Sequence, residues 1–122
     1  MSDQVQFVVE LEIAEGKLER FKELAEACIE LVRENEPTTI AYVWNLSEDG
    51  RKCYILEWYE SAAVVPDHFA LVGAVLGKMP GVAEVTRFEV FGKLTPEAKA
   101  ALAATGAPNY PFWAGFTRCE PA

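Results

Sequence analysis

TTIAYVWNLSEDGRKCYILEWY, residues 38–59, is the stretch that decides the fold. Two apolar runs flank Ser47-Glu48-Asp49-Gly50-Arg51, and Asp-Gly between such runs is a strong hairpin signal. A two-residue turn at Asp49-Gly50 would pair Leu46 with Cys53, Trp44 with Ile55, Tyr42 with Glu57 and Ile40 with Tyr59. Directly paired residues share a face of the sheet. One face then carries Ile40, Tyr42, Trp44, Ile55, Glu57 and Tyr59, and the other Ala41, Val43, Asn45, Tyr54, Leu56 and Trp58. Both faces are largely apolar, whereas a sheet with one solvated face alternates cleanly. One face is therefore expected to meet helices and the other a second copy of the chain.

The flanking sequence completes the pattern. From Val5 to Ile13 apolar residues recur at every second position, the period of a strand. A helix is expected from Gly16 to Asn35, with Leu18, Phe21, Ala25, Cys28, Ile29 and Val32 on one side and charged residues opposite. Pro37 ends it. After the hairpin, Ser61 or Asp67 is expected to cap a second helix with Pro66 in its first turn and Val65, Phe69, Val72, Leu76 and Met79 as its stripe. Pro80-Gly81 stops it, residues 82–93 read as a fourth strand, and Thr95-Pro96-Glu97 opens a short alanine-rich helix running to Gly106. Two split βαβ halves in this order predict an α+β, ferredoxin-like βαββαβ fold with an antiparallel sheet and helices on one face. Residues 1–94 form that domain. Residues 95–122 form a helix and a tail whose Tyr110, Phe112, Trp113 and Phe116 are too apolar for a free terminus, so it is expected to dock on the domain, over a pocket mouth or on a partner.

At 122 residues the chain suits one domain. Its net charge of −8 argues against nucleic acid and anionic membrane, both of which call for basic patches. The N-terminus lacks the pattern of a signal peptide, and no apolar run approaches the ~20 residues that span a bilayer, so a cytoplasmic protein is expected. Cys28, Cys53 and Cys119 are odd in number and widely spaced, as expected of reduced thiols, and no Cys or His cluster suggests a metal site.

The chemistry concentrates between residues 51 and 68. His68, the sole histidine, is the best acid/base, because an imidazole titrates near neutral pH. It flanks the stripe beside Phe69 and Val72 and either points into a cavity or is a satisfied structural histidine. Glu57 lies in an apolar strand on the face of Tyr42, where a carboxylate must be hydrogen-bonded or shifted in pKa. It could orient His68, bind a substrate hydroxyl, or make a structural pair with a tyrosine or with Arg87. Tyr42, Trp44, Tyr54, Trp58 and Tyr59 read as pocket lining, dimer interface or plain core.

Glu36-Pro37, Tyr42, the Asp49-Gly50 hairpin, Tyr54, Glu57, Tyr59 and His68 follow one another in an order that resembles the antibiotic biosynthesis monooxygenase family of dimeric α+β barrel proteins, which includes quinol monooxygenases. The resemblance covers about residues 5–93. Thr38 stands where the family often has a glycine after Glu-Pro. The resemblance implies a homodimer that oxygenates a small aromatic, quinol or polyketide-like substrate without a cofactor. It also implies His68, Glu57 and Tyr42 as the reacting and positioning groups, and Trp44, Tyr59, Trp58, Asn45, Phe69 and Val72 as the substrate surface. Polyketide-oxidising members hold substrate with an Asn and a Trp on the sheet, for which Asn45 with Trp58 or Trp44 are candidates by residue type alone. The alternatives are a dimer that only binds a small apolar ligand, and a non-oxidative cyclase or isomerase on the same fold.

Overall fold

The computed structural model describes residues 3–118. Its elements run β1 (Val5–Ile13), α1 (Leu18–Asn35), β2 (Ala41–Leu46), β3 (Lys52–Tyr59), α2 (Val64–Leu76), β4 (Ala83–Phe91), α3 (Pro96–Leu102) and β5 (Asn109–Tyr110). The sheet order is β2-β3-β1-β4-β5. The first four strands pair antiparallel in ferredoxin-like order, while the short β5 adds to β4 in parallel. This α+β sheet is open, and the barrel of the sequence reading is not closed within one chain. Cys119 lies outside the described residues.

The hairpin register is the one the sequence predicts, with Tyr42 opposite Glu57, Trp44 opposite Ile55 and Leu46 opposite Cys53. The turn itself differs. Ser47 accepts from the amide of Gly50 at 3.0 Å and donates from its own amide to Lys52 at 2.9 Å, so the loop spans four residues rather than two. Asp49 locks it by accepting from the Ser47 hydroxyl at 2.7 Å and from the Arg51 amide at 3.0 Å. Gly50 supplies the positive φ of 71° that closes it.

Alternation along β1 turns Val5, Phe7, Val9, Leu11 and Ile13 inward, all buried. They meet Cys53, Ile55 and Tyr59 from β3 and Val90 from β4. Phe21, Leu24 and Ala25 of α1 and Val65 of α2 close the core from above. Phe7 is its centre, with ring centroids 5.2 Å from Tyr59, 5.3 Å from Phe88 and 6.2 Å from Phe69. A smaller cluster, Cys28, Val32 and Val72, joins α1 to α2.

The start of α2 departs from expectation. Neither Ser61 nor Asp67 caps it through a side chain, and Ala63 holds the cap position. The chain enters instead through successive turns, Val64 amide to Ser61 carbonyl at 3.3 Å and Val65 amide to Ala62 carbonyl at 3.1 Å. α2 also ends at Leu76, before Pro80-Gly81. In α3 the reading holds: Thr95 accepts from the amide of Ala98 at 3.1 Å and Pro96 occupies the first turn.

The outer face of the sheet divides. Val43 and Leu56 are each 46% exposed on the β2–β3 side. Towards β4 the face is polar: Glu10 accepts from the hydroxyls of Tyr54 and Thr86, and Arg87 pairs with Glu89 at 3.0 Å. No helix among the described residues is long and apolar enough to cross a membrane.

Candidate active site

Three ionisable side chains meet between α2 and the sheet. His68 is the residue of α2 that shares its buried stripe with Val65 and Val72, at i−3 and i+4. Its side chain is 3% exposed. Nδ1 lies 2.8 Å from Glu36 Oε2, and Nε2 lies 3.3 Å from Glu57 Oε1.

Each carboxylate has a local cause for being there. Glu36 follows α1 and precedes Pro37, and a residue before proline is pushed out of helical geometry. Its φ of −122° and ψ of 74° break the helix and turn the side chain inward. Thr39 then donates its hydroxyl to Glu36 Oε1 at 2.7 Å. Glu57 sits at an inward position of β3, between Ile55 and Tyr59, so strand alternation drives a carboxylate into the core. The Tyr59 hydroxyl donates to Glu57 Oε1. That oxygen serves both Tyr59 and His68, so Oε2 is the one engaged by neither.

Burial alone would lower the pKa of His68, but hydrogen bonds and charge from Glu36 and Glu57 outweigh it and push the imidazole up to about 9. His68 is therefore an imidazolium at neutral pH. The phenols of Tyr42 and Tyr59 are both held far above their usual range, first by burial and then by the charge of Glu57. Burial raises the pKa of the neighbouring Cys28 thiol to about 11.

These groups border a cavity of about 80 Å³. Its polar lining is Glu57, His68, Tyr42 and Trp44, and its apolar lining includes Phe69, Leu76, Met79 and Phe88. Trp44 Nε1 is buried and has no hydrogen-bond partner. An indole N–H can only donate, and leaving it unpaired in an apolar site costs about 1–3 kcal/mol.

Of the residues the sequence singles out, His68, Glu57, Tyr42, Trp44 and Phe69 converge here. Four residues of the expected substrate surface do not reach the cavity. Trp58 and Asn45 occupy outward positions of their strands; Trp58 Nε1 donates to Gln4 Oε1 at 3.0 Å, and Asn45 Nδ2 to the Tyr54 carbonyl at 3.3 Å. Tyr59 is buried beneath Glu57 and supports it. Val72 packs between α2 and α1 with Cys28 and Val32. Arg87, the suggested partner of Glu57, faces the other side and binds Glu89. Glu36 carries no assigned role in the sequence reading, although the Glu-Pro step there marks its place. Its distance of 32 residues from His68 hides the contact. Among the described residues no group of three or more His, Cys, Asp or Glu side chains is arranged to hold a metal ion.

The family model for antibiotic biosynthesis monooxygenases matches residues 5–72, which contain β1 through most of α2 and all three members of the ionisable cluster. The chain belongs to this family. Membership supports a general monooxygenase-like role. Among solved structures, MupZ from Pseudomonas fluorescens superposes with a TM-score of 0.81 at 22% identity, covering 95% of each chain. Protein SO0527 from Shewanella oneidensis gives 0.62 at 26% identity over 74% of this chain and 88% of its own. Rv0793 from Mycobacterium tuberculosis gives 0.63 at 18% over 75% and 96%. At 95% coverage the likeness to MupZ takes in most of the segment after β4. No curated protein is similar enough to the chain to count as a match.

Proposed function

We propose that this protein is an acid–base enzyme of the cofactor-independent monooxygenase type, acting as a homodimer on a small aromatic, quinol or polyketide-like substrate. The observation that carries the reading is the meeting of a carboxylate, an imidazolium and an unpartnered indole N–H on one largely apolar cavity. Trp44 donates to a carbonyl or similar acceptor oxygen of the substrate. Glu57, rather than His68, takes the substrate proton, because His68 already holds one at neutral pH. His68 and Tyr59 hold that carboxylate in place through its other oxygen. In an apolar, water-excluding site the substrate anion passes electrons to dioxygen. For an anthrone-like substrate one oxygen atom becomes the new carbonyl and the other leaves as water with the two hydrogens lost from the ring carbon.

The cavity is smaller than the ~150 Å³ that accommodates benzene in an engineered core, so a ring-sized substrate enters only as side chains move. Met79 is the most adaptable part of the wall.

A second reading is favoured by the protonation state of His68. Imidazolium and indole are both donors, and with Glu57 they suit a non-oxidative isomerisation or cyclisation in which one group gives a proton as another takes one. Oxygen uptake with a panel of hydroquinones and anthrones tests the first reading, with Glu57→Gln as control. Uptake above the spontaneous rate that is lost in the variant supports it. Turnover of an added polyketide-like substrate that continues without oxygen moves the assignment to the second.

A further inference from the structure

The Glu36–His68–Glu57 row runs between two separate spaces. Glu57 and His68 line the inner cavity. Glu36 lines an open surface pocket of about 290 Å³ formed with Ile29, Val32, Arg33, Pro37 and Thr39. Tyr42 is the one side chain that borders both, and its ring stands 5.5 Å from that of His68. A site that exchanges a proton with its substrate must return to its starting state, and the two carboxylate side chains are about equally buried, Glu57 7% and Glu36 6% exposed. Glu36 is the one of the two that borders the wider surface pocket.

From this arrangement we propose that Glu36 is a proton-relay residue, connecting the inner cavity to solvent through His68. It rests on the reading of Glu57 as the group that takes the substrate proton. When Glu57 accepts that proton, the imidazolium gives up its Nδ1 proton to Glu36 Oε2, and Glu36 passes it to water in the outer pocket. His68 is left neutral with its proton on Nε2. The row gains one proton at its inner end and loses one at its outer end, so the buried charge is unchanged. Passage in the opposite sense resets it, and the ring need not rotate. Unchanged charge matters, because adding or removing one in a low-dielectric site is costly.

Among the described residues, the titratable groups that face His68 come from three elements. From the α1 end there is Glu36, and Cys28 lies beside Tyr42. From β2 there is Tyr42, and from β3 Glu57 and Tyr59. Both phenols are held protonated at neutral pH. The neighbour within α2 is Phe69, with ring centroids 5.6 Å apart.

His68 being the sole histidine, its ring signals are unambiguous in nitrogen-15 NMR of the whole chain, and no substrate is needed. The relay requires Nδ1–H to exchange with solvent at least about tenfold faster than Nε2–H and than the backbone amides of α2, which report opening of the fold. Glu36→Gln, which can still accept from the ring but cannot carry a proton, should slow Nδ1–H to the pace of those amides. The proposal is overturned if both ring protons exchange together, if Nε2–H is the faster, or if the Gln variant folds and leaves Nδ1–H unchanged. Should that variant not fold, the order of the two protons in the unaltered protein decides. These outcomes are independent of whether oxygen is consumed, so the relay and the monooxygenase reading can fail separately.

Discussion

His68 shows how far an environment can move one residue from its ordinary behaviour. A free imidazole is half-protonated near pH 6.5; between Glu36 and Glu57 it stays charged to about pH 9. A group whose pKa is raised on folding binds its proton more tightly in the folded state. Its contribution to stability is complete below the unfolded pKa and is lost as pH rises through the folded one. The denaturant midpoint should therefore fall between about pH 6.5 and 9, by a contribution on the order of 3 kcal/mol, and His68→Gln should abolish that slope. A midpoint flat across this range would show that the carboxylates do not hold the imidazole charged. Trp44 gives the opposite kind of case. Trp44→Phe removes a donor that has no partner but also shrinks a ring packed on Phe21 and Tyr42. The two effects oppose each other, so stability should change by less than about 1 kcal/mol. Substrate turnover should fall at least about tenfold, the loss of one hydrogen bond to a ligand oxygen. A large loss of stability with turnover intact would mean that the indole is core and nothing more.

At the scale of elements, the strands were legible because their period is two and their inward residues nearly all apolar. Glu57 was conspicuous for the same reason, as the carboxylate among them. What alternation could not supply was the neighbour above the sheet, which depends on how α1 and α2 cross it. The helix boundaries were less legible: α2 begins without a side-chain cap, so the Ser61 and Asp67 signals misled. Gly92 is a demand of the tertiary structure. It lies just after β4 with φ of 118°, and a Cβ there would run into the Gln4 carbonyl and the Val5 backbone. Gly92→Ala should cost about 1–3 kcal/mol in a denaturation experiment from backbone strain alone, and more from the clash. By contrast Thr95→Ala, which removes one N-cap bond from α3, should cost only about 1 kcal/mol. Equal effects at the two sites would contradict the close approach of Gly92 to β1.

For the whole molecule, the outer face carries a prediction of its own. Val43 and Leu56 are exposed side by side on neighbouring strands, and Phe112, Trp113 and Phe116 are exposed on the tail. A dimer through the Val43–Leu56 patch is expected, with a mass by light scattering of about twice 13.5 kDa. Leu56→Glu should return the chain to monomer. A monomer before any substitution would leave the apolar half of the outer face without an explanation. The polar half, around Glu10, Thr86 and Arg87, was not foreseen from the hairpin alone, because it belongs to β1 and β4.

The sequence by itself determined the order of elements, the hairpin register and the inward face of each strand. These follow from local periodicity and from turn chemistry within a few residues. It also marked Glu57 and His68 as unusual, because charged and titratable side chains fell at apolar positions. Only the tertiary structure decided what they touch. Glu36 and His68 lie on separate elements and meet because both helices pack on one face of the same sheet. The charge on the imidazole, the exclusion of Trp58 and Asn45 from the cavity and the orphaned indole of Trp44 all arise from that packing. Each depends on distances in space that no spacing along the chain encodes.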